Sequence, residues 1–391
     1  MSDLLEPGSV FKTASIMAAL DDGYVDTTYM VETGGGVWNM YGRDMKDHNW
    51  SRGGYGTLML PWTLKYSSNI GVSRIIDKFY HDQPEKFVQK IHSFGLATDY
   101  KVPIPGYVPG VIRMPKKNKR GQYTNWSKTA LPWMSIGYET QIPPLQTVTF
   151  YNAIANGGKM ISPVLVRELR RGDRVEERFE SRTIASSIAS RAALREVQQC
   201  LQAVCTEGTA SAFFRDTTRL RVAAKTGTAQ ITDARSREGR YYLGSMVAYF
   251  PADAPRYTVL TTIETRAQAG KAYYGGPLAG PVVKRMVDYI FNRGRDWYGR
   301  VDDGGPRRYP DRMKGGDIAQ VRRVADRLSP RASFESRTGW GRVAVDSLSN
   351  VVITSLPGDR GVMPDVRGMG LKDALFVLCL LYTSDAADDK A

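Results

Sequence analysis

Glu6-Pro7-Gly8-Ser9-Val10-Phe11-Lys12 opens a run that stays largely apolar through Ala18-Ala19-Leu20 and ends at Asp21-Asp22-Gly23. The pattern predicts a helix from Pro7 to about Leu20. Proline is tolerated where the first N–H groups lack partners anyway, and Asp-Asp-Gly is a helix stop. On that helix Ser9 and Lys12, three apart, share a face one turn from each other, so the amine can reach the hydroxyl. The free N–H groups of the first turn place Ser9 in a positive field. This reads as a nucleophile beside a base. Ser-x-x-Lys alone reads more readily as a helix cap followed by a solvated lysine, so the rest of the chain has to decide. A helix as apolar as Val10 to Leu20 also needs a sheet or helices on two faces.

Downstream, Leu60-Pro61 starts a helix that Ser67-Ser68-Asn69 interrupts, and Gly71 to Tyr80 resumes it with Val72, Ile75, Ile76 and Phe79 at helical spacing. Ser67-Ser68-Asn69 is either an N-cap or a corner that turns hydroxyl and amide groups into a pocket. Leu220 to Ala224 is a short strand leading into Lys225-Thr226-Gly227-Thr228-Ala229-Gln230. Leu243 to Phe250 and Tyr257 to Thr265, joined by Pro251 to Arg256, add two strands and imply an antiparallel sheet. An amphipathic helix from Pro281 to Phe291 is expected to cover one face. Between the motifs lie Gly-rich strands and loops from Tyr24 to Gly56 over the mouth of a cleft, and a basic Pro-rich loop from Val102 to Lys128. Helices are expected over Pro144 to Ala155 and Ala189 to Cys205, with a strand from Val164 to Arg170 between them. The class is α+β, an antiparallel sheet flanked by helices.

The 391 residues hold 54 Lys and Arg against 40 Asp and Glu, a formal charge of +14, which suits an anionic environment without choosing one. Part of the excess is local: from Asn292 to Arg342 there are 13 basic against 7 acidic residues, in a Gly- and Pro-rich stretch that reads as a solvated linker. Nucleic-acid binding is disfavoured, since no aromatic-basic module accompanies the charge. Cys200, Cys205 and Cys379 are too irregularly spaced for a disulfide framework or zinc site and are expected to be thiols, the first two in the core. His48, His81 and His92 have no metal-ligand spacing and are each expected to be structural. A Ser-His-Asp hydrolase is therefore disfavoured, and an active serine needs another base. No run of 18 apolar residues spans a bilayer, and no signal peptide precedes the Ser9 helix.

Ser9-x-x-Lys12, Ser67-x-Asn69 and Lys225-Thr226-Gly227, in this order on helix start, helix corner and strand, resemble the triple motif of the penicillin-recognising serine enzymes. Their flanks, Glu6-Pro7-Gly8-Ser9, Tyr66-Ser67-Ser68-Asn69-Ile70-Gly71 and Ala224-Lys225-Thr226-Gly227-Thr228-Ala229-Gln230, are similar to class B penicillin-binding proteins, the division-specific D,D-transpeptidases above all. The resemblance covers residues 1–292. Pro364-Asp365-Val366-Arg367-Gly368-Met369 resembles the start of a PASTA module, over 363–378. It implies a transpeptidase domain at 1–292, a charged linker at 293–362, the PASTA start, and a foreign tail at 379–391 resembling translated adapter sequence.

The resemblance implies the penicillin-binding fold shared with serine β-lactamases and a reaction without cofactor or metal. Ser9 is acylated by a D-Ala-D-Ala stem peptide, Lys12 acts as a neutral base beside a charged Lys225, and Ser67 and Asn69 relay the proton and hold the amide. Gly227 lets the substrate lie along the strand, Thr226 and Thr228 grip its carboxylate, and the backbone N–H groups of Ser9 and Thr228 form the oxyanion hole. Implied partners are peptidoglycan stem peptides, β-lactams, a glycosyltransferase and division proteins, at the periplasmic face of the bacterial inner membrane. The family carries a membrane anchor, a pedestal domain and leading strands ahead of this helix, so the chain is expected to be a fragment with an unpaired sheet edge. The rival expectations are a serine β-lactamase, for which no deacylating Glu motif is evident, and a penicillin sensor that acylates without turnover.

Overall fold

A 3-10 turn, Gly8–Val10, leads into α1 (Lys12–Asp21), in which Lys12 and every residue from Thr13 to Ala19 is buried. The helix starts later than the proline suggested, because Gly8 turns the chain through a left-handed φ of 57°. With no polar face, α1 is a central helix; burying Ile16 or Met17, both fully inaccessible, contributes roughly 1.5–3 kcal/mol each.

The computed structural model describes residues 3–103, 105–215, 220–231, 239–268, 272–293, 314–328, 332–345, 351–356 and 364–385. It divides the chain into Met1–Arg295 and Asp296–Ala391. In the first unit α1 is followed by β1 (Met30–Gly34), β2 (Val37–Met40), β3 (Arg43–Lys46), β4 (Gly56–Met59), α2 (Leu60–Lys65), α3 (Asn69–Tyr80) and α4 (Pro84–Ser93). Next come β5 (Val111–Ile112), α5 (Ala130–Ser135), β6 (Thr140–Gln141), α6 (Pro144–Ala155), β7 (Met160–Ile161), β8 (Glu168–Arg171), β9 (Arg174–Arg178) and β10 (Thr183–Ala185). The unit closes with α7 (Arg191–Thr206), α8 (Ser211–Phe214), β11 (Ala223–Ile231), β12 (Tyr241–Phe250), β13 (Tyr257–Arg266) and α9 (Gly275–Arg293).

β11, β12 and β13 form one antiparallel sheet in that order, with Lys225 opposite Val247 and Gly227 opposite Ser245. Both faces are covered. On one, Gly244 lies against Leu278 of α9; on the other, Val247 and Tyr249 join the main core with Phe150 and Tyr151 of α6. Helix α9 begins six residues before the expected Pro281, which lies inside it. Its first turn is anchored by the sheet, since the Gly275 N–H donates to Thr228 Oγ1 at 2.9 Å, and that tie outweighs the usual placing of proline at a helix start.

The second unit corrects the expectation of a linker over 293–362. Within that span β14 (Gly316–Asp317), α10 (Ile318–Leu328), β15 (Ala332–Phe334), β16 (Trp340–Val345) and β17 (Val351–Ser355) build a sheet of order β14-β16-β17-β15. Ile318, Val321, Ala325 and Ile353 form its core. The basic excess that read as linker sits beside a sparse helical stripe: Arg323 is exposed while Val321 and Ala325 are buried. Residues 294–313, 329–331, 346–350 and 357–362 of that span lie outside the described residues. Beyond it α11 (Leu371–Asp385) runs into the segment expected as tail, whose last residues, 386–391, are again outside the described set.

Candidate active site

Three backbone devices bring the sequence motifs together. The 3-10 turn holds Ser9 above α1, and Gly8 lets that turn lie against β11: a Cβ at Gly8 would stand 2.7 Å from the Thr228 carbonyl oxygen. Ser67 takes a φ of 55° at the corner between α2 and α3, a conformation uncommon outside glycine. Ser68 then caps α3, its Oγ accepting from the Gly71 N–H at 2.9 Å. Both readings of Ser67-Ser68-Asn69 hold, since the middle serine caps while its neighbours face the pocket.

Ser9, Ser67, Asn69, Thr226, Gly227 and Thr228 line one open cleft of about 740 Å³. Lys12 and Lys225 lie beneath it, both fully buried. They converge on one hydroxyl: Lys12 Nζ donates to the Ser67 carbonyl at 2.6 Å and approaches Ser67 Oγ at 3.3 Å, while Lys225 Nζ donates to the same Oγ at 2.8 Å and to the Thr226 carbonyl at 2.9 Å. Burial pushes the Lys12 amine down to about 7, against the Asp47 carboxylate, which favours its charged form. Burial, and then the charge of Lys12, hold Lys225 well below the usual lysine range.

Asp47 was missed by the sequence reading. Nearly inaccessible, it accepts from Ser68 Oγ at 2.7 Å, the Asn69 N–H at 2.6 Å and the Ile70 N–H at 3.1 Å. It thus places a carboxylate at the positive end of α3 and fixes the corner that carries Ser67 and Asn69. Asn69 Nδ2 donates to the adjacent Lys46 carbonyl at 2.7 Å. No local pattern signals an aspartate whose partners lie more than twenty residues away. His48, expected to be structural, stands on the cleft wall beside Tyr55; burial lowers its imidazole below the usual value. His92 meets the Ile112 carbonyl at 3.1 Å, away from the cleft lining. Cys200 and Cys205 are buried thiols, as expected.

Gly227 has a second duty. A Cβ there would meet Ser245 Oγ at 2.3 Å and Val10 Cγ1 at 2.9 Å, so the glycine is needed for the turn to pack on the strand, whatever lies in the cleft. Among the described residues no group of His, Cys, Asp or Glu could hold a metal ion, and no helix is long and apolar enough to cross a membrane.

The arrangement can lower the barrier to acyl transfer: a hydroxyl at a turn, amines with depressed basicity, a bridging hydroxyl and an edge strand bearing two threonines. Comparison with known proteins agrees with it. The family description "penicillin binding protein transpeptidase domain" matches residues 1–288. The chain is 27% identical over 299 residues to the "probable peptidoglycan D,D-transpeptidase PenA" of Neisseria flavescens, covering 75% of this chain and 65% of that one. It is 28% identical over 284 residues to the peptidoglycan D,D-transpeptidase FtsI of Escherichia coli K12, covering 72% of this chain and 43% of FtsI. The chain thus spans less than two thirds of these relatives. Among solved structures, the transpeptidase domain of Burkholderia pseudomallei penicillin-binding protein 3 superimposes with a TM-score of 0.59 at 25% identity, covering 78% of this chain and 82% of that one.

Proposed function

The chain belongs to the penicillin-binding protein transpeptidase family, and on that premise we propose that it is a serine D,D-transpeptidase that cross-links peptidoglycan stem peptides and is acylated by β-lactams. The observation that carries the reading is the convergence of two buried lysines on the Ser67 hydroxyl, in the cleft that Ser9 also lines. Lys12, at about 7, is half neutral at neutral pH and can take the Ser9 proton. Ser9 Oγ then attacks the amide carbonyl between the two D-alanines, and the N–H groups of Ser9 and Thr228 receive the oxyanion. The proton passes from Lys12 through Ser67 Oγ to the leaving D-alanine nitrogen, whose bond to carbon breaks. An amine of a second stem peptide attacks the acyl-Ser9 ester and releases the serine. Thr226 and Thr228 hold the terminal carboxylate, and Asn69 the substrate amide.

The expectation of a permanently charged Lys225 changes on this reading. Asp47 favours the proton on Lys12, whereas the two influences on Lys225 among the described residues, its burial and the charge of Lys12, both disfavour a proton there. Arrival of the substrate carboxylate is what favours charge on Lys225. The enzyme would work in the bacterial cell envelope, on the periplasmic side, beside a glycosyltransferase and division proteins. Residues 364–378 would begin a PASTA module. Labelling with a fluorescent penicillin and mapping the adduct by mass spectrometry tests the reading: the label is expected on Ser9 and absent from Ser9→Ala, and label on another residue would sink it.

A further inference from the structure

We infer that Thr209, outside all three motifs, is a positioning residue that aims the Thr226 hydroxyl proton at the carboxylate of the bound substrate. The inference rests on the transpeptidase reading above. Thr209 lies just past the end of α7, where its N–H donates to the Lys65 carbonyl at 3.2 Å and the next N–H, of Ala210, donates to Val204 at 3.0 Å. The same short segment is thereby tied to the last residue of α2, two residues before Ser67. The Thr209 side chain lines the cleft with Thr226, and the two Oγ1 atoms stand 2.7 Å apart.

At that distance the two hydroxyls share one hydrogen, and the direction of sharing decides what Thr226 can offer a ligand. Thr228, next on the same face of β11, shows the arrangement that works. Its Oγ1 accepts from the Gly275 N–H at 2.9 Å; an amide can only donate, so the Thr228 proton is left for the cleft. For Thr226 the group behind is a hydroxyl that could point either way. A carboxylate accepts and never donates, so once it enters the cleft Thr226 must give it the proton and must accept from Thr209. The result is a directed chain, Thr209 O–H to Thr226 O–H to carboxylate, in which the anion polarises both bonds. Thr209 acts through Thr226, and its contribution exists only when the ligand carries the negative charge.

The test compares acylation of the full chain by benzylpenicillin, whose carboxylate is ionised, and by its methyl ester, which has the same ring and no charge. Thr209→Val keeps the shape and removes the donor. It is expected to slow acylation by the acid roughly 2- to 13-fold, the range for one hydrogen bond between neutral groups, and to leave the ester rate unchanged. Thr209→Ser restores the acid rate, and Thr209→Ala repeats the loss should the valine variant fold poorly. Equal slowing of acid and ester would assign Thr209 a merely structural role and overturn the inference, as would an unchanged acid rate or a serine variant that fails to rescue. A wild-type chain acylated by neither compound would instead remove the transpeptidase reading on which the inference stands.

Discussion

Replacing Lys12 by methionine is expected to abolish acylation and yet raise the stability of the first unit. Lys12 is fully buried, and its amine falls from 10.5 to about 7 in the folded chain. At 1.36 kcal/mol per unit, the shift corresponds to roughly 5 kcal/mol that folding spends below pH 7 to strip or bury the charge. Methionine has nearly the same reach and no charge, so that cost disappears. Against this, the Ser67 carbonyl loses the donor now 2.6 Å away, worth about 1–3 kcal/mol when a buried acceptor is left unpaired. Asp47 keeps its three partners on the α3 side. The balance is a gain of roughly 2–4 kcal/mol, or about 4–8 °C in melting temperature for a unit of this size. Between pH 7 and 10.5 the unfolded chain carries a proton that the folded chain has shed, so wild-type stability rises with pH across that window. The advantage of Lys12→Met should therefore be full near pH 7 and give way above pH 10.5, where lysine is neutral in both states, to the deficit of about 1–3 kcal/mol left by the unpaired Ser67 carbonyl. Scanning calorimetry at both pH values measures this, the first-unit transition being the one that benzylpenicillin moves in the wild type. A variant that melts no higher at pH 7, or whose advantage persists unchanged at high pH, would refute the electrostatic account of the buried lysine.

Acylation of the wild type should rise with pH through about 7 as Lys12 loses its proton, which stopped-flow quenching with a fluorescent penicillin would read; a flat profile from pH 5 to 9 would remove Lys12 as base. Lys12→Arg should be inactive, because guanidinium keeps its proton, whereas Lys225→Arg should retain part of the rate because only a cation toward the ligand is required there; equal rates for the two would refute the division of roles. Asp47→Asn removes the charge that favours protonated Lys12, so the inflection of the pH–rate curve should move to lower pH. The same substitution weakens the cap on α3 by about 1–2 kcal/mol, measurable by urea unfolding, and an inflection that stays or moves upward would count against it.

What could be read in the chain and what could not divide along the range of the interactions. The motif residues are legible because each sits on a local device: Ser9 on a turn before a largely buried helix, Ser68 in an N-cap, Lys225 to Thr228 on a strand whose partners Leu243 to Phe250 and Tyr257 to Thr265 show their own apolar runs. Asp47 is illegible for the opposite reason. Its hydrogen-bond partners at 68–70 arrive only when the strand-rich segment folds over the start of α3, and nothing in Lys46-Asp47-His48 marks one aspartate of the chain as buried. The second unit was misread on composition, since its few core positions, Ile318, Val321, Ala325 and Ile353, are diluted by arginine on a small fold that needs little apolar area. Gly227 illustrates a subtler miss. A functional motif invites a functional reason for each of its members, yet this glycine is already required by Val10 and Ser245 before any substrate arrives. The groups that meet in the cleft can therefore be picked out from the three motifs taken together, but the protonation of Lys12 and Lys225, the direction of the Thr226 hydroxyl and the need for Gly227 follow only from neighbours distant in sequence. Chemistry in this cleft is set by which residues are present; its direction is set by Asp47 and Thr209, which lie in none of the motifs.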